Sequence, residues 1–407
     1  MHAEQVDFRA FFSVLVCPLV LTSWVESRTW TDTQGRTLEA ELVSVAEKSV
    51  SVRRDGSGDL VELPFSLLSE EDLEWIAKQA AVSSEPNEEQ LDDSGEADSG
   101  EPENWDAPFP TSVKVAEEVE ISEEYEGGSN PKWIYRSNHY EFICDVELTR
   151  SVVSQFASMF EATRDYMKAL PINSRRAFRD PGENRLRVLL FDTQAAYLEN
   201  GGMLGAAGSY HPRTNEVKIP LISLGVKDLG SRKMLDRDKG NKTLPHELCH
   251  QLTDSVYYEH GSRGWFTEGL AEFVGVTPYR AGRFNVRGID KKVKDYVTYV
   301  DDDTRRGRLL GETIRCQDLK DYMLLSYDHF REDAGHNYGV GALLVTYFLL
   351  WDDEGNRGPI TKFLKALKAG KVGEEALAEL RDGRTFEELE EQIAKAWKRK
   401  GVELIFE

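Results

Sequence analysis

The run His246-Glu247-Leu248-Cys249-His250 decides how this chain is read. Two histidines four positions apart lie on one face of a helix, where their ring nitrogens can share one ion. Eighteen positions after His250 comes Glu268, within Trp265-Phe266-Thr267-Glu268-Gly269-Leu270-Ala271-Glu272. A carboxylate from a second helix closes a tripod and leaves a fourth position open for water. Neutral imidazole suits Zn2+ at about 2.0–2.1 Å, and the helix fixes the separation of the histidines beforehand. Zinc lowers the pKa of such a water toward about 7. Glu247, between the histidines, is placed to take its proton and pass it to a leaving amine. The sequence therefore predicts a metallohydrolase with His246, His250 and Glu268 as ligands and Glu247 as general base.

The flanks support a helix. Pro245 suits a first turn and Thr243 can cap it, while Leu248, Cys249 and Leu252 form an apolar side. Cys249 points roughly 100° away from His250 and reads as packing, not as a ligand. The bland alternative is two ordinary histidines and a solvated acid, and the Trp-Phe-x-Glu-Gly-Leu-Ala-Glu stretch weighs against it.

With both motifs in hand, the chain resembles the gluzincin clan of metallopeptidases, and within it the peptidase-MA-like domains. The likeness covers roughly residues 132–350 and its core motifs span 246–272. It implies a zincin-like mixed sheet followed by the HExxH helix, and the ligand and base roles already read from the residues. Glu272 falls four after Glu268, where such enzymes keep an acid that holds a ligand histidine; a ligating imidazole donates its other N–H. Asp254, four after His250, is an alternative in that part, or a solvated acid. Tyr338, in His336-Asn337-Tyr338-Gly339-Val340-Gly341, resembles the Tyr-x-x-Gly of gluzincin aminopeptidases, whose hydroxyl stabilises the oxyanion. The lysine of that motif is replaced here by Val340, and His336 is a competing donor. The absence of a Gly-x-Met-x-Asn-like signature disfavours an aminopeptidase and leaves an endopeptidase open, the form expected here. A zinc hydrolase of a non-peptide amide or ester, or a catalytically inactive zincin-fold scaffold, are the competing readings.

Outward from this core the chain divides into four stretches. Residues 132–407 read as the α+β catalytic domain, with strands over His139–Cys144 and Leu186–Phe191. Val152–Leu170 reads as a helix and Gly205–Pro220 as a hairpin, and the C-terminal part is helical from Tyr338 onward. Residues 81–131 hold sixteen Asp or Glu and one Lys, Lys114, and read as an acidic, extended linker. Residues 28–80 alternate like short strands between the turns at Gly35 and Asp55-Gly56. They resemble the Sla-one homology domain, a small SH3-like β-barrel, through Arg28-Thr29-Trp30-Thr31-Asp32, Gly35-Arg36, Val50/Val52, Asp55-Gly56 and Leu68-Ser69 with Asp72. That resemblance implies an interaction or attachment module with a protein or cell-surface partner.

Residues 1–27 contain the uncharged run Ala10–Leu21, too short to span a bilayer and of signal-peptide length, with Val25 and Ser27 suited to cleavage after Ser27. Export to a periplasmic or extracellular site is expected, with no stable membrane span. Cys144, Cys249 and Cys316 would then remain, an odd number that forbids complete pairing. The net charge of −22 argues against nucleic acid, but 15 of those negatives come from residues 81–131 (sixteen acids less one lysine), so it says little about the substrate.

Overall fold

The computed structural model describes residues 19–20, 28–33, 35–45, 49–55, 60–69, 71–73, 75–76, 104–180, 182, 184–203, 206, 208–211, 214–228, 233–235, 243–258, 263–299 and 307–407. The expected leader, apart from Leu19 and Val20, and the first part of the acidic stretch fall outside them. By contacts the chain forms two compact units, Met1–Leu73 and Glu74–Glu407.

The first unit is one antiparallel sheet of β1 (Leu19–Val20), β2 (Arg28–Thr31), β3 (Thr37–Val45), β4 (Ser49–Arg54) and β5 (Leu60–Pro64). The order is β1-β3-β4-β5, with β2 also on β3. The period-2 pattern puts Trp30, Ala40, Leu42, Val50 and Val52 on the buried face. Trp30 also donates through its ring nitrogen to the Ala40 carbonyl at 2.9 Å. The buried Asp72 accepts from Arg28 at 2.5 Å and from the Thr31 N–H, which fastens the C-terminal turn to β2. A closed barrel was expected; among the described residues no strand pair closes the sheet.

The second unit mixes helices with a six-stranded sheet. Its strands are β6 (Ser122–Glu126), β7 (Lys132–Arg136), β8 (Tyr140–Cys144), β9 (Leu186–Phe191), β10 (Ser209–His211) and β11 (Glu216–Pro220). The order across the sheet is β10-β11-β9-β8-β7-β6. β8, β9 and β11 run parallel, while β10 returns antiparallel to β11 as an edge strand. Parallel neighbours need a crossover, and helix α1 (Arg150–Ala169) supplies it between β8 and β9. Its apolar stripe meets the sheet through Phe142, whose ring centroid lies 5.0 Å from Phe156 and 4.9 Å from Phe160. Thr193 caps the helix Gln194–Glu199 that follows β9, accepting from the Ala196 N–H.

Four helices then build the site: α2 (Thr243–Leu252), α3 (Gly269–Val276), α4 (Ile289–Thr298) and, later, α6 (Ala334–Leu350), which follows the short α5 (Tyr327–Glu332). A π-helical turn, Arg263–Glu268, runs directly into α3. α6 crosses α3 at backbone contact: a Cβ on Gly269 would lie 2.4 Å from the Gly341 carbonyl oxygen. Trp265 and Phe348 close the same junction at 5.7 Å. Helices Gly358–Lys368, Gly373–Arg381 and Phe386–Lys398 complete the C-terminal part, and strand Glu403–Phe406 pairs in parallel with Thr313–Cys316.

Two features depart from the sequence reading. Residues 104–131 are ordered, although they end the acidic stretch expected to be a linker. Asn104 donates to the Lys168 and Leu170 carbonyls, Trp105 is buried, Ser112–Lys114 pairs with Arg283–Asn285, and Ser122–Glu126 becomes β6. The carboxylates face solvent while the sparse apolar residues dock. α6 also begins four residues before Tyr338, where Asp333 accepts from the His336 N–H.

Candidate metal centre

α2 carries His246 and His250 toward the π-helical turn. Their Nε2 atoms are 3.2 Å apart. Glu268 stands at the last residue of that turn and brings Oε2 to 3.4 Å from His246 Nε2 and 3.3 Å from His250 Nε2. A four-coordinate ion with bonds of about 2.0–2.1 Å requires donors about 3.4 Å apart at tetrahedral angles. The three donors meet that requirement, and the group could hold a metal ion. Glu268 Oε2 is buried and has no hydrogen-bond partner of normal geometry. A buried carboxylate oxygen in that state calls for a cation. π-turns recur at functional sites because the extra residue re-aims a side chain, and here that side chain is Glu268.

Each ligand is held from behind. Tyr327 on α5 donates its hydroxyl to Glu268 Oε1 at 2.7 Å, which leaves Oε2 turned to the imidazoles. His250 Nδ1 lies 2.9 Å from the Tyr258 hydroxyl, and that hydroxyl donates to the His250 carbonyl at 3.2 Å. A carbonyl only accepts, so the phenol proton goes there and Nδ1–H donates to the phenol oxygen. That tautomer leaves the Nε2 lone pair free for an ion. His246 Nδ1 faces Glu272 Oε1 at 3.3 Å. Glu272 is in turn bound by Arg308 at 2.5 Å and by the hydroxyl of Tyr296 on α4.

Charge follows these contacts. Burial alone would raise the Glu272 pKa, but Arg308 and His246 hold it down at about 2. Burial likewise works to raise Glu268, and the two imidazoles bring it well below the usual carboxylate range. Burial lowers His246, yet Glu268 and Glu272 outweigh it and lift the imidazole to about 10. Glu247 differs from its neighbours: desolvation dominates and pushes its pKa up, against the pull of His246 and His250. It lies against the edge strand, where a Cβ on Gly208 would come within 3.3 Å of its Cγ.

Of the residues singled out from sequence, His246, Glu247, His250, Glu268 and Glu272 come together. Tyr338 also arrives: its ring lies nearly parallel to that of His246, 6.3 Å away, with the Arg308 guanidinium 4.9 Å from its centroid. Its hydroxyl hydrogen-bonds with Tyr327 and is pushed up in pKa by burial. Because Tyr327 gives its own proton to Glu268, the hydroxyls form a chain from Tyr338 through Tyr327 to Glu268. Asp254 does not join. It is buried, bound by Lys368 at 2.5 Å, and accepts from the Arg176 N–H at 3.0 Å. His336 is tied through Nε2 to the Arg315 carbonyl at 2.9 Å. Cys249 is buried as expected, beside Thr253.

Sequence reasoning missed Tyr258, Tyr296, Arg308 and Tyr327. Tyr258 carried a weak signal, eight residues after His250; the others sit 24 to 59 residues from their partners with no motif to link them. No family model matches the chain, and comparison with curated proteins gives no match either.

Proposed function

We propose that the chain is a zinc-dependent peptide-bond hydrolase of the gluzincin type. The observation that supports this most is the set of three donors spaced for a tetrahedral ion, one of them the buried, unpartnered Oε2 of Glu268. Two imidazoles and one carboxylate favour zinc, and a set of three protein ligands among the described residues is that of a catalytic site and not of a closed structural one. Zinc when bound would supply Lewis acidity and a water whose pKa falls to about 7.

The chain's own residues do the remainder. Glu247 has no ion-pair partner among the described residues, and its raised pKa suits a group that takes a proton from water and returns it to a leaving amine. Glu272 stays ionised beside His246 Nδ1 and fixes that ring. Strand β10 is the outer strand of the sheet beside Glu247; its Tyr210 N–H donates to that carboxylate, and an extended peptide would lie along the same edge. An endopeptidase is the form we favour. The Tyr338 hydroxyl would have to leave Tyr327 to reach an oxyanion, so its part in turnover depends on that exchange.

The N-terminal unit, with its Sla-one-like residues, would serve as an attachment or interaction module, and we infer export from residues 1–27. No helix among the described residues is long and apolar enough to cross a membrane.

Casein degradation by the zinc-loaded protein and by Glu247→Gln tests the proposal. Activity in the first and its loss in the second, with equal zinc content, is the expected result. Equal activity in both would remove Glu247 as base, and inactivity of the folded, zinc-loaded protein on casein and short peptides would favour the scaffold reading.

A further inference from the structure

Six arginines among the described residues have a buried side-chain nitrogen without a hydrogen-bond partner: Arg28, Arg164, Arg308, Arg331, Arg357 and Arg381. Five of them are anchored through another nitrogen. Arg28 binds Asp72, Arg308 binds Glu272, and Arg164, Arg357 and Arg381 donate to backbone carbonyls. Arg331 has no such anchor; its guanidinium lies over the Tyr327 ring, 5.6 Å from the centroid. Its side chain is half-buried, with one terminal nitrogen enclosed; an enclosed donor left unpaired is costly, and a ligand can supply its partner.

Its place gives the vacancy meaning. Tyr327 and Arg331 are four apart on α5, so they share one face of that helix. That face also carries Phe330, which packs on the Tyr338 ring at 5.7 Å and fills the space over Gly264 in the π-turn. The Tyr327 hydroxyl, on the ring that the guanidinium covers, donates to Glu268 at 2.7 Å, which sets the charge beside the site. Glu268 and Glu272 are already committed to the imidazoles and to Arg308.

We infer that Arg331 is a specificity residue that receives a carboxylate of the bound peptide. A guanidinium fork matches a planar carboxylate with two parallel hydrogen bonds, and at a partly desolvated position such pairs are the strong ones. Two sources share this chemistry, the C-terminal carboxylate of a peptide and the side chain of Asp or Glu. The inference rests on the peptidase reading, because it takes the substrate to be a peptide.

The test uses three N-acetylated pentapeptides: penta-alanine with a free C-terminus, its C-terminal amide, and the amide with one alanine replaced by glutamate. Binding to the full-length, zinc-loaded Glu247→Gln protein is measured by calorimetry, so that no peptide is consumed. At least one carboxylate peptide should bind tenfold or more tightly than the neutral amide. Adding Arg331→Gln should remove that difference, and Arg331→Lys should restore part of it. Which carboxylate peptide is preferred identifies the source. Equal binding of all three, binding of none, or a preference that survives Arg331→Gln overturns the inference. Turnover of the same peptides by the wild-type protein is read separately: a carboxylate preference in binding without any hydrolysis would retire the peptidase reading and leave the carboxylate site standing.

Discussion

The Tyr327 hydroxyl donates to Glu268 Oε1 at 2.7 Å, and the other oxygen of that carboxylate, Oε2, is left facing His246 and His250. One hydrogen bond thus decides which oxygen the site presents. Groups that orient a metal ligand from behind are worth about 10–100-fold in metal affinity. Tyr327→Phe removes the donor and keeps the ring, so it should weaken zinc binding by about that factor. Competition against a fluorescent chelator measures it. An unchanged affinity would show that the π-turn alone fixes Glu268.

Glu272 is the second holding group, and its charge is secured by Arg308 at 2.5 Å. Glu272→Gln keeps the shape and removes the charge that accepts from His246 Nδ1. Zinc affinity should fall by about 10–100-fold. Arg308→Met leaves Glu272 buried with fewer partners, and should cost fold stability as well, on the order of 3–5 kcal/mol for breaking a buried pair. Urea unfolding of the two metal-free variants separates these effects: Arg308→Met should unfold at the lower denaturant concentration.

Gly269 lets α3 and α6 touch. A Cβ there would sit 2.4 Å from the Gly341 carbonyl oxygen and 2.9 Å from Val345 Cγ2. The backbone cannot yield as a side-chain tip can, so Gly269→Ala should destabilise by about 1–3 kcal/mol or more and displace Glu268 next to it. A variant with wild-type stability and wild-type zinc affinity would contradict the packing described.

Acid sensitivity should be carried in part by Glu161. Burial works to raise its pKa, but His139 and Ser137 hydrogen-bond its carboxylate and bring it below the ordinary 4.5. A depressed folded-state pKa means stability that is present above the unfolded value and lost as pH falls through the folded value. The wild-type protein should therefore lose stability below about pH 4.5, its ordinary unfolded value. Glu161→Gln should be weaker at pH 7, by about 1–3 kcal/mol, and fall less steeply with acid. Urea midpoints at pH 7, 5, 4 and 3 check that the two curves converge in acid.

The ligand set was legible because a helix imposes its own geometry: spacing of four puts His246 and His250 together whatever surrounds them. The β10–β11 hairpin, β9 and the helical C-terminal part were equally legible from alternation and helical period. What sequence could not give were groups that act across the fold. Tyr327 meets Glu268, and Arg308 meets Glu272, only after the helices have packed, and neither belongs to a periodic pattern. Residues 104–131 misled for a related reason. Their acids dominate the composition, while the few residues that dock, such as Asn104 and Trp105, carry the structure. The C-terminal strand Glu403–Phe406 went unread because its partner, Thr313–Cys316, lies about ninety residues away.

The account stands on the ion at His246, His250 and Glu268, and metal content measures it directly. Full-length protein purified without chelator, analysed by elemental mass spectrometry, should carry about one zinc per chain. Glu247→Gln should carry the same amount, and His250→Ala should lose it while remaining folded by circular dichroism. Well-folded wild-type protein that contains no zinc and takes up none on titration would contradict the account.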